Sequence, residues 1–309
     1  MAAAVGRTRI GSGPSALGAK TIPPDHAILA VPKKGRLHEQ VKKLLEGTGL
    51  EYTRPDRTDV AVCSNLPIVI VFLPASDIAK FVGEGNVDLG ITGLDHIKES
   101  EVDVEVLVPL GFGKCSLSVQ APVTSRVTDI KEQLCGARIA TSFPVIAAEY
   151  FKNLDPSKTT QIRELSGSVE AACGLGLADA VVDLVETGTT MRAAGLEEVE
   201  VILKTEAVLL ANKQSAHKAT VALFQTRVEG YLTAMRYMMM SYNAPRDQLK
   251  AVLAITPGKR SPTVSPLEDG EWCAVSALVL KKGISEVMDR LQEAGATDIL
   301  IYSITNSRM

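Results

Sequence analysis

The sequence predicts an α/β protein with more than one domain, and three observations support this. The chain has 309 residues, which is too long for a single hydrophobic core of ordinary size. Hydrophobic residues make up 46% of it and aromatic residues only 4%, and such an aliphatic interior is typical of buried parallel sheets. From His26 onward, short apolar runs alternate with amphipathic segments, as successive strand–helix units do.

The composition argues against several classes of protein. With a net charge of -3 and no basic stripe interleaved with aromatics, the chain lacks the pattern of a nucleic-acid-binding protein. Its five cysteines are scattered without a C-x-x-C pair, which disfavours a disulfide framework or zinc cluster and favours a reducing, cytoplasmic location. No window approaches the ~20 apolar residues of a membrane span, so we expect no membrane partner.

Residues 1–25 are expected to form a disordered tail. They are rich in Ala, Gly, Ser and Pro and lack the continuous apolar run of a signal peptide. A cleaved organelle-targeting segment would share their basic, acid-poor composition, so that alternative stays open.

The apolar runs after the tail predict eight strands: 27–31, 68–73, 87–91, 104–107, 117–120, 138–140, 180–185 and 199–203. Helical patterns fall between them. Leu37, Val41, Leu44 and Leu45 share one helical face, and Ile78, Phe81 and Val82 share another before glycines end that segment.

A polar seam near 122–129 separates two apolar blocks, and the chain returns toward the first block near 204–212. This pattern predicts two lobes with a ligand cleft between them, because ligands of open α/β sheets collect at strand ends and domain junctions. We expect the first lobe to comprise 26–118 with 205–225, the second 119–204, and a C-terminal domain 226–309, including a connecting helix.

The C-terminal part changes character. Apolar residues at helical spacing predict one long helix over 216–241. After Pro245 the order is helix 246–252, loop 256–266, strand 272–280, helix 284–294 and strand 298–304. This order suits a small ferredoxin-like α+β domain.

The segment DLVETGTT at 183–190 carries the most informative chemistry. An apolar strand runs into a loop around Gly188, and a helical stretch begins near Thr190. Backbone N–H groups at a helix start, together with threonine hydroxyls, bind phosphate. The alternative is a helix N-capped by Thr187 or Thr189. Capping needs one hydroxyl residue, so the crowding of three threonines behind Asp183 and Glu186 favours a phosphate site, with Asp183 suited to ribose hydroxyls.

The same segment resembles the phosphoribosyl pyrophosphate (PRPP) loop of the ATP phosphoribosyltransferase family. Five further stretches agree with that family in order and spacing: PKKGRL at 32–37, VDLGITG at 87–93, FGKCSLS at 112–118, RIATSFP at 138–144 and GSVEAA at 167–172. The resemblance extends from His26 to the C-terminus.

This resemblance implies a bilobed, type II periplasmic-binding-protein-like catalytic body. ATP and PRPP would meet in its cleft to form phosphoribosyl-ATP and pyrophosphate, the first step of histidine biosynthesis, with Mg²⁺ carried mainly by substrate phosphates. The residues expected to bind PRPP are Asp183, Glu186, Thr187, Gly188, Thr189 and Thr190. Those expected to bind ATP or pyrophosphate are Lys33, Arg36, Asp95, Arg138 and Glu170.

The ATP-site residues each have a simpler reading. Lys33 and Arg36 would suit a solvated basic loop, and Asp95 a helix cap. Glu170 would offset a helix dipole if Ser168 caps that helix. Arg138 would then be a surface cation.

The C-terminal segments SYNAP at 241–245 and TPGKRSPTV at 256–264 resemble the regulatory domain of the long form of this family. The resemblance implies feedback inhibition by histidine, bound between neighbouring regulatory domains, and assembly of dimers into hexamers. The matching residues are Asn243, Ser261, Thr263 and Asp298. The competing hypothesis is a bilobed solute-binding protein without catalysis. Such a protein would carry a signal peptide and lack the loop at residues 186–190, which we call the threonine loop.

Overall fold

The computed structural model describes residues 22–54 and 58–308, and these residues form three β-sheets. Residues 1–21 of the expected tail and the side chain of Arg36 lie outside the described residues. No helix in the described ranges is both long and apolar enough to cross a membrane.

The first lobe is a six-stranded sheet with helices on both sides. Its elements up to the first crossover are β1 Ala27–Pro32, α1 Arg36–Gly47, β2 Val60–Val62, β3 Ile68–Leu73, α2 Ala75–Gly83, β4 Leu89–Gly93, α3 Leu94–Ser100 and β5 Glu105–Pro109. β1 pairs in parallel with β3 and β4. Residues 27–32 and 68–73 are almost wholly buried, because both faces of this sheet are covered.

The second lobe contains the next sheet. Its elements are β6 Cys115–Pro122, a 3₁₀ turn Val123–Ser125, α4 Ile130–Gln133, β7 Arg138–Thr141, α5 Pro144–Leu154, β8 Gln161–Glu164, α6 Ala171–Gly174, β9 Ala180–Val185, α7 Thr189–Ala193 and β10 Leu196–Thr205. The sheet order is β10-β6-β9-β7-β8. β6 begins at Cys115, so residues 115–118 pair in this second sheet rather than in the first.

The chain then returns to the first lobe through β11 Ala207–Ala211 and α8 Lys218–Arg236. β11 inserts antiparallel between β4 and β5, which completes the order β2-β3-β1-β4-β11-β5. Two crossovers, at 110–114 and at Glu206, therefore join the lobes. This arrangement confirms the predicted bilobed, type II periplasmic-binding-protein-like body.

The long helix predicted over 216–241 is wrong at its C-terminal end. α8 stops at Arg236, and the next nine residues form β12 Tyr237–Pro245. Met240, Tyr242 and Ala244 alternate into a core, and β12 pairs with a later strand along its whole length. α8 packs Phe224 and Val228 into the core of the first lobe, so this helix lies with that lobe beyond residue 225.

The C-terminal domain is ferredoxin-like, as predicted. After β12 follow α9 Leu249–Ile255, β13 Thr263–Pro266, β14 Trp272–Leu280, α10 Ile284–Glu293 and β15 Thr297–Ser303, with the sheet order β13-β14-β12-β15. Val252 of α9 and Leu291 of α10 join Tyr242 and Val275 in one core. Both helices therefore cover the same face of the sheet.

The end of the chain packs back onto the first lobe. The side-chain amide of Asn306 donates to the carbonyl of Gly47 at 2.8 Å, and the Ser307 hydroxyl donates to the carbonyl of Gly230 in α8 at 3.0 Å. A Cβ at position 230 would lie 2.0 Å from the Ser307 carbonyl oxygen. Only glycine therefore allows this close approach.

Replacing Gly230 with alanine is expected to displace residues 306–308 and to cost about 1–3 kcal/mol of stability, as overpacking does. Thermal unfolding and hydrogen exchange at the C-terminus measure both effects. Gly174→Ala is the matched control, because a Cβ there meets no atom within 4 Å. An unchanged C-terminus in Gly230→Ala would contradict the packing described.

Candidate functional site

A cavity of about 460 Å³ lies between the two lobes. The first lobe lines it with residues of α1, α3 and β11, including Leu37, Asp95, His96 and Ala207, and the second lobe contributes Cys115, Leu184 and Glu186. A neighbouring cavity of about 450 Å³ shares Cys115 and Glu186 and extends to the crossover at Thr205 and Glu206. The threonine loop thus begins at the cleft.

Residues 186–188 of the threonine loop connect the end of β9 to the start of α7. Gly188 occupies the N-cap position with φ +71°, in the left-handed region that favours glycine. The hydroxyls of Thr187 and Thr189 lie 3.0 Å apart and hydrogen-bond to each other. The cap residue is therefore the glycine, so neither Thr187 nor Thr189 serves as the helix cap.

The loop carries several hydrogen-bond donors within a few residues of one another. The first N–H groups of a helix, here those of Thr189 and Thr190, have no acceptor within it. Thr187, Thr189 and Thr190 are exposed, so a ligand can approach this segment from solvent. Such a set can hold an anion.

Arg192, on α7 just after the loop, is a residue that the sequence pattern did not single out. Its guanidinium donates to the Thr187 carbonyl at 2.8 Å, one helical turn beyond Gly188. This contact places a positive charge beside the backbone of Thr187, next to Gly188. The available signal was a basic residue four positions after the glycine, on the same face of the short helix.

Asp183 lies on β9 behind the loop. Its carboxylate accepts from the N–H of Leu184 at 2.8 Å, and its carbonyl accepts from the Gln120 amide at 3.0 Å. Burial raises the pKa of Asp183 above its usual value, the Leu184 N–H opposes that shift, and nearby Glu170 adds to it. The structure therefore brings Asp183 and Glu170 together.

Glu170 itself occupies the N-cap position of α6. The expected cap, Ser168, lies two residues earlier with φ +49°, and its carbonyl accepts from the N–H of Ala171. Glu170 is thus at the start of the helix, near Asp183, rather than in the first turn after a serine cap.

Asp95 lies at the junction between the lobes. It is only 3% exposed, and its carboxylate accepts from the hydroxyl of Thr205 at 2.8 Å. The same hydroxyl accepts from the Asp95 N–H at 3.1 Å. Asp95 therefore ties α3 of the first lobe to the end of β10, beside the cavity that it lines.

Of the two basic residues after β1 that were expected to bind ATP, Lys33 and Arg36, only Lys33 has a described side chain. Lys33 forms an ion pair with Asp59 at 2.7 Å, and Arg54 approaches the same carboxylate at 3.5 Å while stacking over Phe72. Lys33 therefore neutralises an acidic loop residue in this structure. Arg36 is the first residue of α1, and its side chain lies outside the described residues.

Arg138 does not join the cleft. It opens β7, whereas the threonine loop follows the C-terminal end of β9, which runs parallel to β7. Its guanidinium contacts both carboxylate oxygens of Asp179, at 2.7 and 3.1 Å, and donates to the Gly176 carbonyl. The two ends of a strand lie at opposite edges of a sheet, so Arg138 is remote from the threonine loop, and we do not propose that it contacts ATP.

The four residues expected to bind an inhibitor fall into two groups. The Asn243 amide donates to the Asp298 carboxylate at 2.9 Å, and Asp298 has φ +52°. Thr263 begins β13, just after Ser261, at the opposite edge of the sheet from β15. β13 is two strand spacings from β12, which carries Asn243, and three from β15, or about 10 and 14 Å, so one chain does not bring the two groups together.

Comparison with known proteins matches two family models to the chain. The model described as "HisG: ATP phosphoribosyltransferase" covers residues 74–235, and "HisG, C-terminal domain" covers 234–306. An ATP phosphoribosyltransferase of Yarrowia lipolytica is 51% identical over 92% of this chain and 97% of its own. That of Saccharomyces cerevisiae is 45% identical over the same shares.

A solved structure is also similar. The ATP phosphoribosyl transferase (HisG:HisZ) complex from Thermotoga maritima contains a chain that superposes with a TM-score of 0.58 at 26% identity. The match covers 66% of this chain and 96% of that one.

Proposed function

Because the chain belongs to the ATP phosphoribosyltransferase family, we propose that its threonine loop binds PRPP and that ATP enters the same interlobe cleft. The reaction is the first step of histidine biosynthesis, a pentosyl transfer that joins ATP to PRPP. Membership of a transferase family sets aside the alternative of a solute-binding protein without catalysis.

One observation carries the assignment of the loop. Residues 186–190 follow the C-terminal end of a central strand, begin at the cavity between the lobes, and present N–H groups and hydroxyls together. The phosphate of PRPP supplies the anion that such a donor set recognises. Arg192 adds a positive charge to the same loop, which strengthens the attraction for a phosphate.

The residues behind the loop suit the ribose. Asp183 is half-buried and lies near Glu170, so a ribose hydroxyl that donates to its carboxylate would replace part of its lost hydration. Displacement at the anomeric carbon builds positive charge on the sugar ring and negative charge on the departing pyrophosphate. Carboxylates beneath the sugar and donors around the phosphates stabilise both charges.

ATP is assigned to the first-lobe side of the cleft. Asp95 lines the cavity, and Lys33 follows β1 at the C-terminal edge of the same sheet. Lys33 would have to exchange Asp59 for a phosphate oxygen, which an exposed ion pair permits at little cost. Arg36 stays a prediction from the family resemblance.

The metal is proposed to be Mg²⁺, held chiefly by substrate phosphates. In the part of the chain that the structure describes, no group of three or more His, Cys, Asp or Glu side chains is placed to hold a metal ion. Mg²⁺ commonly binds one or two protein carboxylates together with substrate phosphates. Asp183 on β9 and Glu186 just after it carry carboxylates that suit this role. When bound, the ion would neutralise the pyrophosphate.

Excess chelator is expected to abolish formation of phosphoribosyl-ATP, followed by absorbance, while leaving the unfolding midpoint unchanged. The reason is that the ion accompanies the substrates rather than the fold. Added Mg²⁺ should restore turnover. Turnover that persists in chelator would contradict the role of the metal, and a lowered midpoint would indicate a structural ion.

Regulation by histidine is proposed for the C-terminal domain. Asn243 and Asp298 form one half of the site, and Ser261 and Thr263 lie at the other edge of the sheet. Two neighbouring chains could join these halves, which supports a homo-oligomer built from dimers into hexamers. The Asp298 carboxylate would accept the ligand ammonium, with the Asn243 amide beside it.

A cytoplasmic location is also proposed. None of the five cysteines, all of which lie in the described ranges, forms a disulfide. Unbridged cysteines are typical of proteins in reducing compartments.

A further inference from the structure

One face of α3 is directed at the second lobe. Asp95, His96 and Glu99 occupy positions i, i+1 and i+4 of this helix, which share a face in α-helical geometry. Asp95 bonds to Thr205 at the end of β10. His96 stacks on Phe143, which precedes α5, with 5.4 Å between the rings. Glu99 lies one turn beyond Asp95, so α3 forms the seam between the lobes.

Glu99 makes two hydrogen bonds across this seam. Its two carboxylate oxygens accept hydrogen bonds from the N–H groups of Val145 and Ile146, at 2.8 and 3.0 Å. These groups belong to the first turn of α5 in the second lobe. The carboxylate of one lobe therefore binds the helix start of the other with both of its oxygens.

The sequence around α5 explains why a distant residue performs this role. Phe143, at the N-cap position, is buried and carries no side-chain oxygen. Pro144 follows at the first helical position and has no N–H. The next two N–H groups have no acceptor within the helix, and the first lobe supplies one. Helix ends usually have a local cap. Here the cap comes from the other lobe, so these two N–H groups are capped only while the lobes are in contact.

The surroundings strengthen this contact. Burial raises the pKa of Glu99 above its usual value, while the two N–H groups oppose the shift. Glu164 faces the same carboxyl and raises the pKa further, whereas His96 lowers it. The carboxylate is thus partly buried, and hydrogen bonds to a charged acceptor are stronger there than at a fully exposed surface.

We propose that Glu99 is a positioning residue that latches the two lobes in the closed arrangement in which ATP and PRPP can react. Separation of the lobes breaks both bonds and leaves a partly buried carboxylate and two N–H groups without partners. The latch lies one helical turn from Asp95, which lines the interlobe cavity. The inference rests on the proposed function, because it requires the transferase reaction and PRPP binding at the threonine loop.

The test uses Glu99→Gln in the full-length chain. Glutamine has the same size but offers one acceptor oxygen, and its amide NH₂ would face an N–H donor. We expect kcat to fall about tenfold, equivalent to about 1.4 kcal/mol, because fewer molecules are closed. The affinity for PRPP in calorimetry should change less than about twofold, because the threonine loop is untouched. Hydrogen exchange at Val145 and Ile146 should accelerate.

The matched control is Glu149→Gln, the same substitution at an exposed position of α5 itself. It should leave kcat and the exchange of both amides at wild-type values. Accelerated exchange with wild-type kcat in Glu99→Gln would reduce Glu99 to a local cap and overturn the inference. Lowered kcat with unchanged exchange would overturn it equally. Weakened PRPP binding would place Glu99 in the substrate site rather than in a latch.

Discussion

Replacing Thr187, Thr189 and Thr190 together with alanine is expected to abolish PRPP binding. Each hydroxyl that donates to a charged phosphate contributes about 1.5–3 kcal/mol, so the loss of three should raise the dissociation constant at least about 100-fold. Calorimetric titration of the variant with PRPP measures this directly. Because all three side chains are exposed, the fold should persist, and circular dichroism should match the wild type.

The control for this variant removes exposed threonine hydroxyls elsewhere. Thr226 and Thr233 lie on α8, where their hydroxyls donate to backbone carbonyls of the same helix. The double variant Thr226→Ala, Thr233→Ala should bind PRPP as the wild type does. Wild-type affinity in the triple loop variant would show that PRPP binds elsewhere.

Replacing Asp298 with asparagine is expected to remove inhibition by histidine while leaving uninhibited turnover intact. Asparagine tolerates the left-handed conformation found at this position, so the backbone should not change. The variant loses the negative charge that would pair with the ligand ammonium, and charge-assisted hydrogen bonds contribute about 1.5–3 kcal/mol. The histidine concentration for half-inhibition should rise at least about tenfold.

Glu293→Gln, an exposed position at the end of α10, removes one negative charge from the same domain and should leave inhibition unchanged. If Asp298→Asn remained fully sensitive to histidine, the inhibitor site would have to lie elsewhere. A loss of uninhibited activity would instead indicate that Asp298 acts on the catalytic body.

Much of the fold could be predicted because its central strands are continuous apolar runs. The strands at 68–73 and 180–185 have the predicted bounds, and that at 27–32 differs by one residue. β11 is also wholly buried, but an apolar run of five residues cannot be distinguished from a buried helical segment by its periodicity. Its place between β4 and β5 depends on partners about 100 residues away in sequence.

β12 could not be predicted for a related reason. Met238, Met239 and Met240 continue the apolar spacing of α8, and they also fit a strand. The pairing with β14 and β15 decides in favour of the strand, and that pairing is a tertiary contact. Tertiary context commonly overrides local helical propensity in this way.

In the candidate site, too, local features could be predicted and tertiary contacts could not. The threonine loop is contiguous, so its residues share one place in the structure as the sequence implied. Contacts between residues far apart in sequence could not be predicted from the sequence. Thr205 is 110 residues from Asp95, and Asp179 is 41 residues from Arg138. The first contact places Asp95 at the junction of the lobes, and the second keeps Arg138 away from the cleft.

The central claim is that the loop 186–190 holds the phosphate of PRPP at the mouth of the interlobe cleft. A crystal structure of the chain with PRPP tests it most directly. The account predicts the phosphate within hydrogen-bonding distance of the N–H groups and hydroxyls of Thr189 and Thr190, with the ribose over Asp183. A phosphate bound elsewhere, with the loop in contact only with solvent, would contradict it.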